Sequence, residues 1–364
     1  MARARIEYLD GLRGIAALAV MLQHTVETII VTDRSAVMGL RPEFLDMFNA
    51  GRFGVALFFL FSGFVIPFSF RPPRPIHSFV ISRFFRLYPA YWLSLGLALV
   101  IFRFLTDQTY PPLRIIANIT MVQSVFGQHD VIGVYWTLFI ELAFYGLCAG
   151  LFALHLLSDW RTLIAAIFIG LGLSVAIAAL AIVGAKHLPA NIPLNLALMF
   201  LGTLMRQAWL ERNPMSRRWL VPMIVLWAII MPVVQFMTPG QPDIMPITPI
   251  SFCTAYWVAL GVFVATARLN WTPGRIFIRA GAISYSIYLF HSICIEATAH
   301  LVSPGQPWRD VVFAGLVVIT TITVATLVYI LIERPGIAIG HALAMTERRR
   351  PTVQPALRGK QSTP

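Results

Sequence analysis

The chain has 364 residues, of which 58% are hydrophobic and 12% charged, and its formal net charge is +12. Soluble globular domains carry about 25% charged residues, so the composition excludes an ordinary soluble domain. The apolar residues form runs of about twenty, the length that crosses about 30 Å of hydrocarbon. Because the basic residues lie between these runs, we attribute the positive charge to membrane topology and expect no nucleic-acid partner.

The apolar runs predict an all-α, polytopic membrane bundle of about ten transmembrane helices. Segment 114–127, between the third and fourth runs, is too short to cross and predicts an interfacial or re-entrant helix. Residues 1–340 form the predicted transmembrane domain, and residues 341–364 a basic, disordered cytoplasmic tail. The predicted spans cover residues 12–31, 52–70, 86–105, 134–156, 161–184, 192–210, 219–238, 250–267, 283–301 and 310–332.

The charge of the connecting segments predicts the orientation of the bundle. With a cytoplasmic N-terminus, 21 of the 28 lysines and arginines fall on the inner side. Positive residues accumulate on the cytoplasmic side of membrane proteins. The bias therefore predicts an even number of spans and two cytoplasmic termini.

Two ionisable residues in the first run point to function, because charge within hydrocarbon is costly. Arg13 and His24 are eleven residues apart, so they share one helix face and are separated by about 16 Å along the axis. Arg13 at the cytoplasmic rim can hold phosphate, and His24 beyond mid-membrane can take up and return a proton. The structural alternative for His24 is a packing histidine bonded to a neighbouring helix.

Further ionisable residues lie in the third and fourth runs. Glu141 lies at nearly the depth of His24, where it could orient or charge-balance His24, contact an acceptor hydroxyl or form a structural ion pair. Arg83 and Arg86 share a helix face at the inner start of the third run. They can grip one polyanion, or they are only a positive-inside flank.

The last two runs add three candidate residues. Tyr288 and His291 are three residues apart in the ninth run and meet on one helix face. Glu333 lies at the inner rim after the tenth run, two residues before Pro335, which we expect to end the helix. Each of these features is compatible with a purely structural role.

The sequence predicts neither a disulfide framework nor a metal site. Cys148, Cys253 and Cys294 each lie inside an apolar run, and none belongs to a CxxC pair. The histidines show no metal-ligand spacing. Ser62 and Gly63 in the second run favour close helix packing.

Together these residues resemble the acyltransferase 3 family of membrane acyltransferases, which acylate bacterial surface glycans and related acceptors. The resemblance covers about residues 6–340. Its pieces occur in the family's order: LDGLRG (9–14) with Arg13 and His24, FFLFSGF (58–64), Arg83-x-x-Arg86, YWTLFIELAFY (135–145), SYSIYLFH (284–291) and Glu333-x-Pro335.

The resemblance implies an acyl-CoA donor, acetyl-CoA being the commonest in the family, and no tightly bound cofactor. It implies that His24 is the catalytic histidine and that Arg13, Arg83 and Arg86 hold the CoA phosphates. A carbohydrate or lipid-linked glycan would be the acceptor, and membrane lipids of a bacterial inner membrane would surround the protein.

The remaining candidates are assigned around this expected reaction. Glu141 is predicted to be catalytic together with His24, whereas Trp136, Tyr288, His291 and Glu333 are predicted to bind the acceptor or to be structural. We expect His24 to act as general base on an acceptor hydroxyl, with a transient acyl-histidine as the alternative. A proton-coupled secondary transporter and a glycan flippase are the alternatives from other classes.

Overall fold

The structure, a computed structural model, describes residues 7–32, 46–70, 72–183, 189–238, 248–269 and 271–346. These residues form α-helices joined by loops and by short 3-10 and π turns, and they contain no strand. The helices in chain order are α1 Glu7–Thr32, α2 Ala50–Val65, α3 Pro75–Leu105, α4 Pro112–Ile119, α5 Trp136–Ala153, α6 Trp160–Ile182, α7 Asn191–Trp209, α8 Pro214–Met237, α9 Pro249–Leu269, α10 Arg275–Ala282, α11 Ser284–Leu301, α12 Pro307–Val328 and α13 Arg334–Thr346.

The chain is a multi-pass, all-α membrane protein, as predicted. Among the described residues, seven helical stretches are long and apolar enough to cross a membrane, or eight if the bent pair α10–α11 is one span. Helix α2 is apolar but has only 16 residues. Each of the ten predicted spans overlaps a helix. The number of ten spans and the cytoplasmic position of both termini stay predictions.

Local signals explain where several helices begin. Asn49, Asp159 and Asn213 each accept a hydrogen bond from a backbone N–H of the first helical turn, which satisfies a donor that has no partner within the helix. Pro75 and Pro307 occupy first-turn positions, where the missing N–H of proline costs nothing.

Helix α3 begins earlier than predicted. The predicted span started near residue 86, but the helix starts at Pro75 and continues to Leu105. Arg83 and Arg86 therefore lie inside the helix rather than at its start. The sequence pattern missed the first turns because they are too polar to count as hydrocarbon-spanning.

The prediction that Pro335 ends the last helix is wrong. Helical structure continues from α12 through a π turn, Tyr329–Glu333, into α13. The π turn changes the backbone pairing just before the proline, and this accommodates a ring that would clash with a regular helix. Residues 341–346, at the start of the predicted tail 341–364, are helical, and residues 347–364 lie outside the described residues.

Segment 114–127 is too short to cross, as predicted. It contains the eight-residue helix α4 and a 3-10 turn, Gln123–Phe126. Tyr91 and Trp92 on α3 donate hydrogen bonds to the carbonyl oxygens of Asn118 (2.6 Å) and Ile119 (3.0 Å). These two hydrogen bonds hold the segment against the side of α3.

Helix α2 packs tightly between α1 and α7. A Cβ atom on Gly63 would lie 1.9 Å from the carbonyl oxygen of Met199 on α7, and one on Gly54 would lie 2.4 Å from that of Ala16 on α1. Only glycine permits backbones to approach so closely. The packing role expected for Ser62-Gly63 is therefore confirmed for Gly63, and α2 is held between two neighbouring helices.

Candidate functional site

Five of the predicted site residues line one cavity. The cavity has a volume of about 210 Å³ and lies among α1, α2, α3, α5 and α11. Apolar side chains such as Phe58, Phe61 and Leu138 form much of the remaining wall. The five predicted residues, which come from four separate helices, are Arg13, Arg83, Arg86, Glu141 and Tyr288.

The three arginines give one part of this cavity a concentration of positive charge. Arg13 lies 5.0 Å from the ring centre of Phe61, and its closest carboxylate is that of Asp10 at 4.0 Å. Arg83 donates a hydrogen bond to Ser69. Within the described residues, Arg86 makes no hydrogen bond or ion pair. The guanidinium groups thus keep donors available for a polyanionic ligand.

Glu141 is held by hydroxyl groups at the cavity wall. It accepts hydrogen bonds from Tyr145 (2.5 Å) and from Ser62 (3.2 Å), both at Oε1. It makes no hydrogen bond to His24, so the expectation that Glu141 orients His24 directly is not met. Its catalytic role stays a prediction.

A series of ring contacts joins the cavity wall to His24. Tyr288 lines the cavity, hydrogen-bonds to Thr137 (2.7 Å) and has its ring centre 5.9 Å from that of His291. The ring of His291 in turn stacks on His24, with centres 5.3 Å apart and planes inclined by 18°. His24 is therefore not part of the cavity wall, and Tyr288 and His291 on α11 lie between it and the cavity.

The partner of His24 is Glu27, one turn along α1. His24 Nδ1 lies 2.8 Å from Glu27 Oε2. Because an ionised carboxylate only accepts hydrogen bonds, we infer that Nδ1 carries the proton and that Nε2 is left as an acceptor. The His24 side chain is 36% exposed, whereas that of Glu27 is 14% exposed. This arrangement holds the ring in the tautomer that a general base requires.

Helix α2 fixes the position of Glu27. Gln23 donates a hydrogen bond to Glu27 Oε1 (2.9 Å) and accepts one from the backbone N–H of Ala50 (2.9 Å), the first residue of α2. The imidazole, the carboxylate and the amide thus form one hydrogen-bonded series that ends on a neighbouring helix.

His291 packs against His24 from α11. It is fully buried, and its Nδ1 lies 3.2 Å from the carbonyl oxygen of Ile287. A carbonyl oxygen only accepts, so Nδ1 carries the proton, and Nε2 can accept from Ser292 at 3.3 Å. His291 therefore supplies a flat surface against which the ring of His24 is stacked.

The comparison with known proteins identifies the class of this site. The sequence profile of the acyltransferase 3 family, described as an acyltransferase domain, matches residues 6–330. The chain belongs to this family. It is a transferase acting on acyl groups.

Two curated relatives are similar to this acyltransferase. Acyltransferase MdmB of Streptomyces mycarofaciens is 31% identical over 149 residues, 39% of this chain, and the match spans only 38% of that relative's length. Nodulation protein 10 of Rhizobium leguminosarum bv. viciae is 25% identical over 365 residues, 92% of this chain and 94% of the relative. No solved structure matches the chain.

Two further predicted residues, like His24 and His291, lie outside the cavity wall. Glu333, on the π turn, is 2% exposed, accepts a hydrogen bond from Ser286 (2.8 Å) and interacts electrostatically with Arg86 and Arg13. Glu333 is therefore a buried acidic side chain close to two of the cavity arginines. Trp136, the first residue of α5, lies edge-on to Phe59 at 6.2 Å.

The sequence pattern missed three polar residues near His24. Gln23 and Glu27 lie in the same apolar run as His24, and Glu27, three residues away, falls on the same helix face. The rule that singled out His24, an ionisable group within a span, applies equally to Glu27. Arg52, whose guanidinium lies 5.1 Å from the ring centre of Trp136, interacts electrostatically with Glu27.

Nothing in the described part of the chain offers a metal site. No group of three histidine, cysteine or acidic side chains there is placed to hold a metal ion. Cys148, Cys253 and Cys294 are buried free thiols.

Proposed function

We propose that this acyltransferase transfers an acetyl group from cytoplasmic acetyl-CoA to a hydroxyl of a carbohydrate or lipid-linked glycan in a bacterial inner membrane. The observation that carries the proposal is a cavity lined by three arginines and connected, through two side chains of α11, to a histidine held in a basic tautomer. Membership of an acyltransferase family favours acyl transfer over the alternatives of a secondary transporter or a flippase.

The arginine-lined cavity is suited to the donor. Coenzyme A carries several phosphate charges, and guanidinium groups bind phosphate through paired, charge-assisted hydrogen bonds. Arg13 and His24 are eleven residues apart on α1, which corresponds to about 16 Å. The extended pantetheine arm of the donor roughly covers that distance. Phosphates held at the arginines would thus bring the thioester towards His24.

His24 and Glu27 are suited to the chemical step. The acceptor O–H gives its proton to Nε2 of His24 as the hydroxyl oxygen attacks the thioester carbonyl. The new C–O bond forms, the C–S bond breaks, and the leaving thiolate takes the proton from His24 to give free coenzyme A. Glu27 keeps the ring oriented and stabilises the transient imidazolium, the role of the carboxylate in a catalytic triad.

The acceptor would meet His24 from the membrane face opposite the arginines. Trp136 and Arg52 lie at the same end of α2 as Ala50. The backbone N–H of Ala50 donates a hydrogen bond to Gln23, which in turn holds Glu27. An aromatic ring beside a cation suits a hydroxyl-rich ligand, because the ring offers an apolar face and the guanidinium donates hydrogen bonds.

We expect the product to be an oxygen ester. The purified protein in lipid nanodiscs is incubated with acetyl-CoA labelled in the acetyl group and with lipid-linked glycans extracted from bacterial inner membranes. Label is expected in the glycan fraction and should be released by mild alkali, since esters hydrolyse under conditions that leave amides intact. Alkali-stable label would indicate N-acylation, and label confined to acetyl-CoA and acetate would contradict a glycan acceptor.

A further inference from the structure

A second cavity lies away from the residues described so far. It has a volume of about 460 Å³ and lies where α7 ends, α8 begins and α9 ends. It shares no lining residue with the arginine cavity. Its wall is formed by Trp209, Arg217, Leu220, Val221, Ala267 and Arg268.

This second cavity is at the same membrane face as the arginine cavity. Arg206, near the end of α7, donates a hydrogen bond to the carbonyl oxygen of Phe64 (3.1 Å), near the end of α2. Arg206 also interacts electrostatically with Tyr8, at the start of α1. The start of α1 and the ends of α2 and α7 therefore meet at one face, which the charge bias predicts to be cytoplasmic.

The cavity wall contains positive charge without a protein counter-charge. Within the described residues, neither Arg217 nor Arg268 pairs with a carboxylate. Arg217 donates its Nε–H to the carbonyl oxygen of Ala208 (2.8 Å), which leaves its two terminal amino groups available. The guanidinium of Arg268 lies 5.7 Å from the ring centre of Trp209. Two oriented cations thus border one cavity.

Trp209 adds a hydrogen-bond donor that has no partner. Its indole Nε1 is buried and makes no hydrogen bond to any described residue. A buried donor without an acceptor costs free energy comparable to a lost hydrogen bond. A ligand that brings anionic oxygen atoms to this cavity would supply the acceptor as well as the counter-charge, and a phosphate group has both properties.

An apolar surface begins at the cavity and continues along α8. Val221 in the cavity wall, and Val225 and Ile229 at successive four-residue steps, are all exposed. Residues four apart lie on one face of a helix. A free phosphate compound has no apolar part that could contact this surface, whereas the acyl chains of a phospholipid can lie along it.

We propose that this cavity binds the phosphate headgroup of an anionic phospholipid from the surrounding leaflet, with the acyl chains along α8. Arg217 and Arg268 contact the phosphate oxygens. The site is independent of the acyl-transfer reaction, because none of its residues belongs to the donor cavity or to the His24 network.

Native mass spectrometry of the detergent-solubilised protein tests this proposal. Wild type and an Arg217→Gln, Arg268→Gln variant are titrated with phosphatidylglycerol and, separately, with phosphatidylcholine. An arginine near an anionic lipid contributes about 1 kcal/mol, so the double variant should bind the first phosphatidylglycerol about 30-fold more weakly. Phosphatidylcholine, whose phosphate charge is offset by its choline cation, should lose much less affinity in the double variant than phosphatidylglycerol does.

The matched control removes the same charge elsewhere. Arg218→Gln, Arg275→Gln replaces two exposed arginines that do not line the cavity, and it should bind phosphatidylglycerol like wild type. Equal binding by both double variants would overturn the proposal, as would displacement of the lipid by glycerol 3-phosphate or coenzyme A at equal concentration. If the Arg217 variant does not fold, Arg268→Gln alone carries the test, because that side chain is exposed and makes no hydrogen bond to the residues that the structure describes.

Discussion

Replacing His24 with alanine should abolish acyl transfer while leaving donor binding within twofold of wild type. His24 contacts Glu27 and His291 rather than the wall of the arginine cavity. Its loss removes the general base, a contribution of about 10²- to 10⁴-fold in rate. The measurement is release of free coenzyme A in the presence of the glycan acceptor, with acetyl-CoA affinity determined on the same preparations.

His155 provides the control for this variant. It is exposed, lies between α5 and α6, and makes no side-chain hydrogen bond within the described residues. His155→Gln should therefore transfer acetyl at the wild-type rate. His24→Ala with more than a tenth of wild-type activity, in a protein of unchanged melting temperature, would show that another group acts as the base.

Glu27→Gln should lower kcat by about 10²-fold or more without changing the KM for acetyl-CoA. The glutamine amide can donate a hydrogen bond to Nδ1 of His24, where the carboxylate could only accept one. The imidazole proton would then move to Nε2, and the basic nitrogen would be lost. The charge that stabilises the imidazolium would be lost as well, so the effect falls on the chemical step.

A second histidine–glutamate pair offers a matched control. Glu296 lies 3.7 Å from Nδ1 of His300 on the exposed end of α11, about 12 Å along the helix from the cavity residue Tyr288. Glu296→Gln should leave both kinetic constants unchanged. If Glu27 were purely structural, Glu27→Gln would lower the melting temperature and would raise KM as well as lowering kcat. An unchanged kcat in Glu27→Gln would contradict the role assigned to Glu27.

The helices were largely predictable because apolar run length is a property of the local sequence. Each predicted span overlaps a helix. The predicted helix ends were wrong where local sequence signals differ from the folded structure. Helix α3 begins at Pro75, before its apolar part, and a π turn allows the last helix to continue past Pro335. In both places a helix contains polar or helix-breaking residues that its packing on neighbouring helices tolerates.

The candidate site was predictable in its residues but not in its contacts. Arg13 and Glu141 were found because ionisable side chains are rare within spans, and Arg83 because it shares a helix face with Arg86. The structure places all of them on one cavity. The partner of Glu141 depends on how α2 and α5 are rotated against each other, which the sequence of neither helix determines. Glu141 consequently faces Ser62 rather than His24.

Helix α2 connects the two halves of the proposed reaction. The backbone N–H of its first residue, Ala50, donates a hydrogen bond to Gln23, which holds Glu27. Near its other end, Ser62 donates a hydrogen bond to Glu141 at the proposed donor cavity. Gly54 and Gly63 fix the same helix against α1 and α7. A rigidly packed helix of this kind keeps the base and the donor cavity at a constant separation, as positioning for catalysis requires.

Calorimetric titration of the purified protein with acetyl-CoA tests the central claim, that the arginine cavity holds the donor. Wild type and an Arg218→Ala, Arg275→Ala control are expected to bind acetyl-CoA. The Arg83→Ala, Arg86→Ala variant should bind it about 100-fold more weakly, because hydrogen bonds to charged groups contribute about 1.5–3 kcal/mol each. Equal affinity of both double variants, or no binding of acetyl-CoA by wild type, would contradict it.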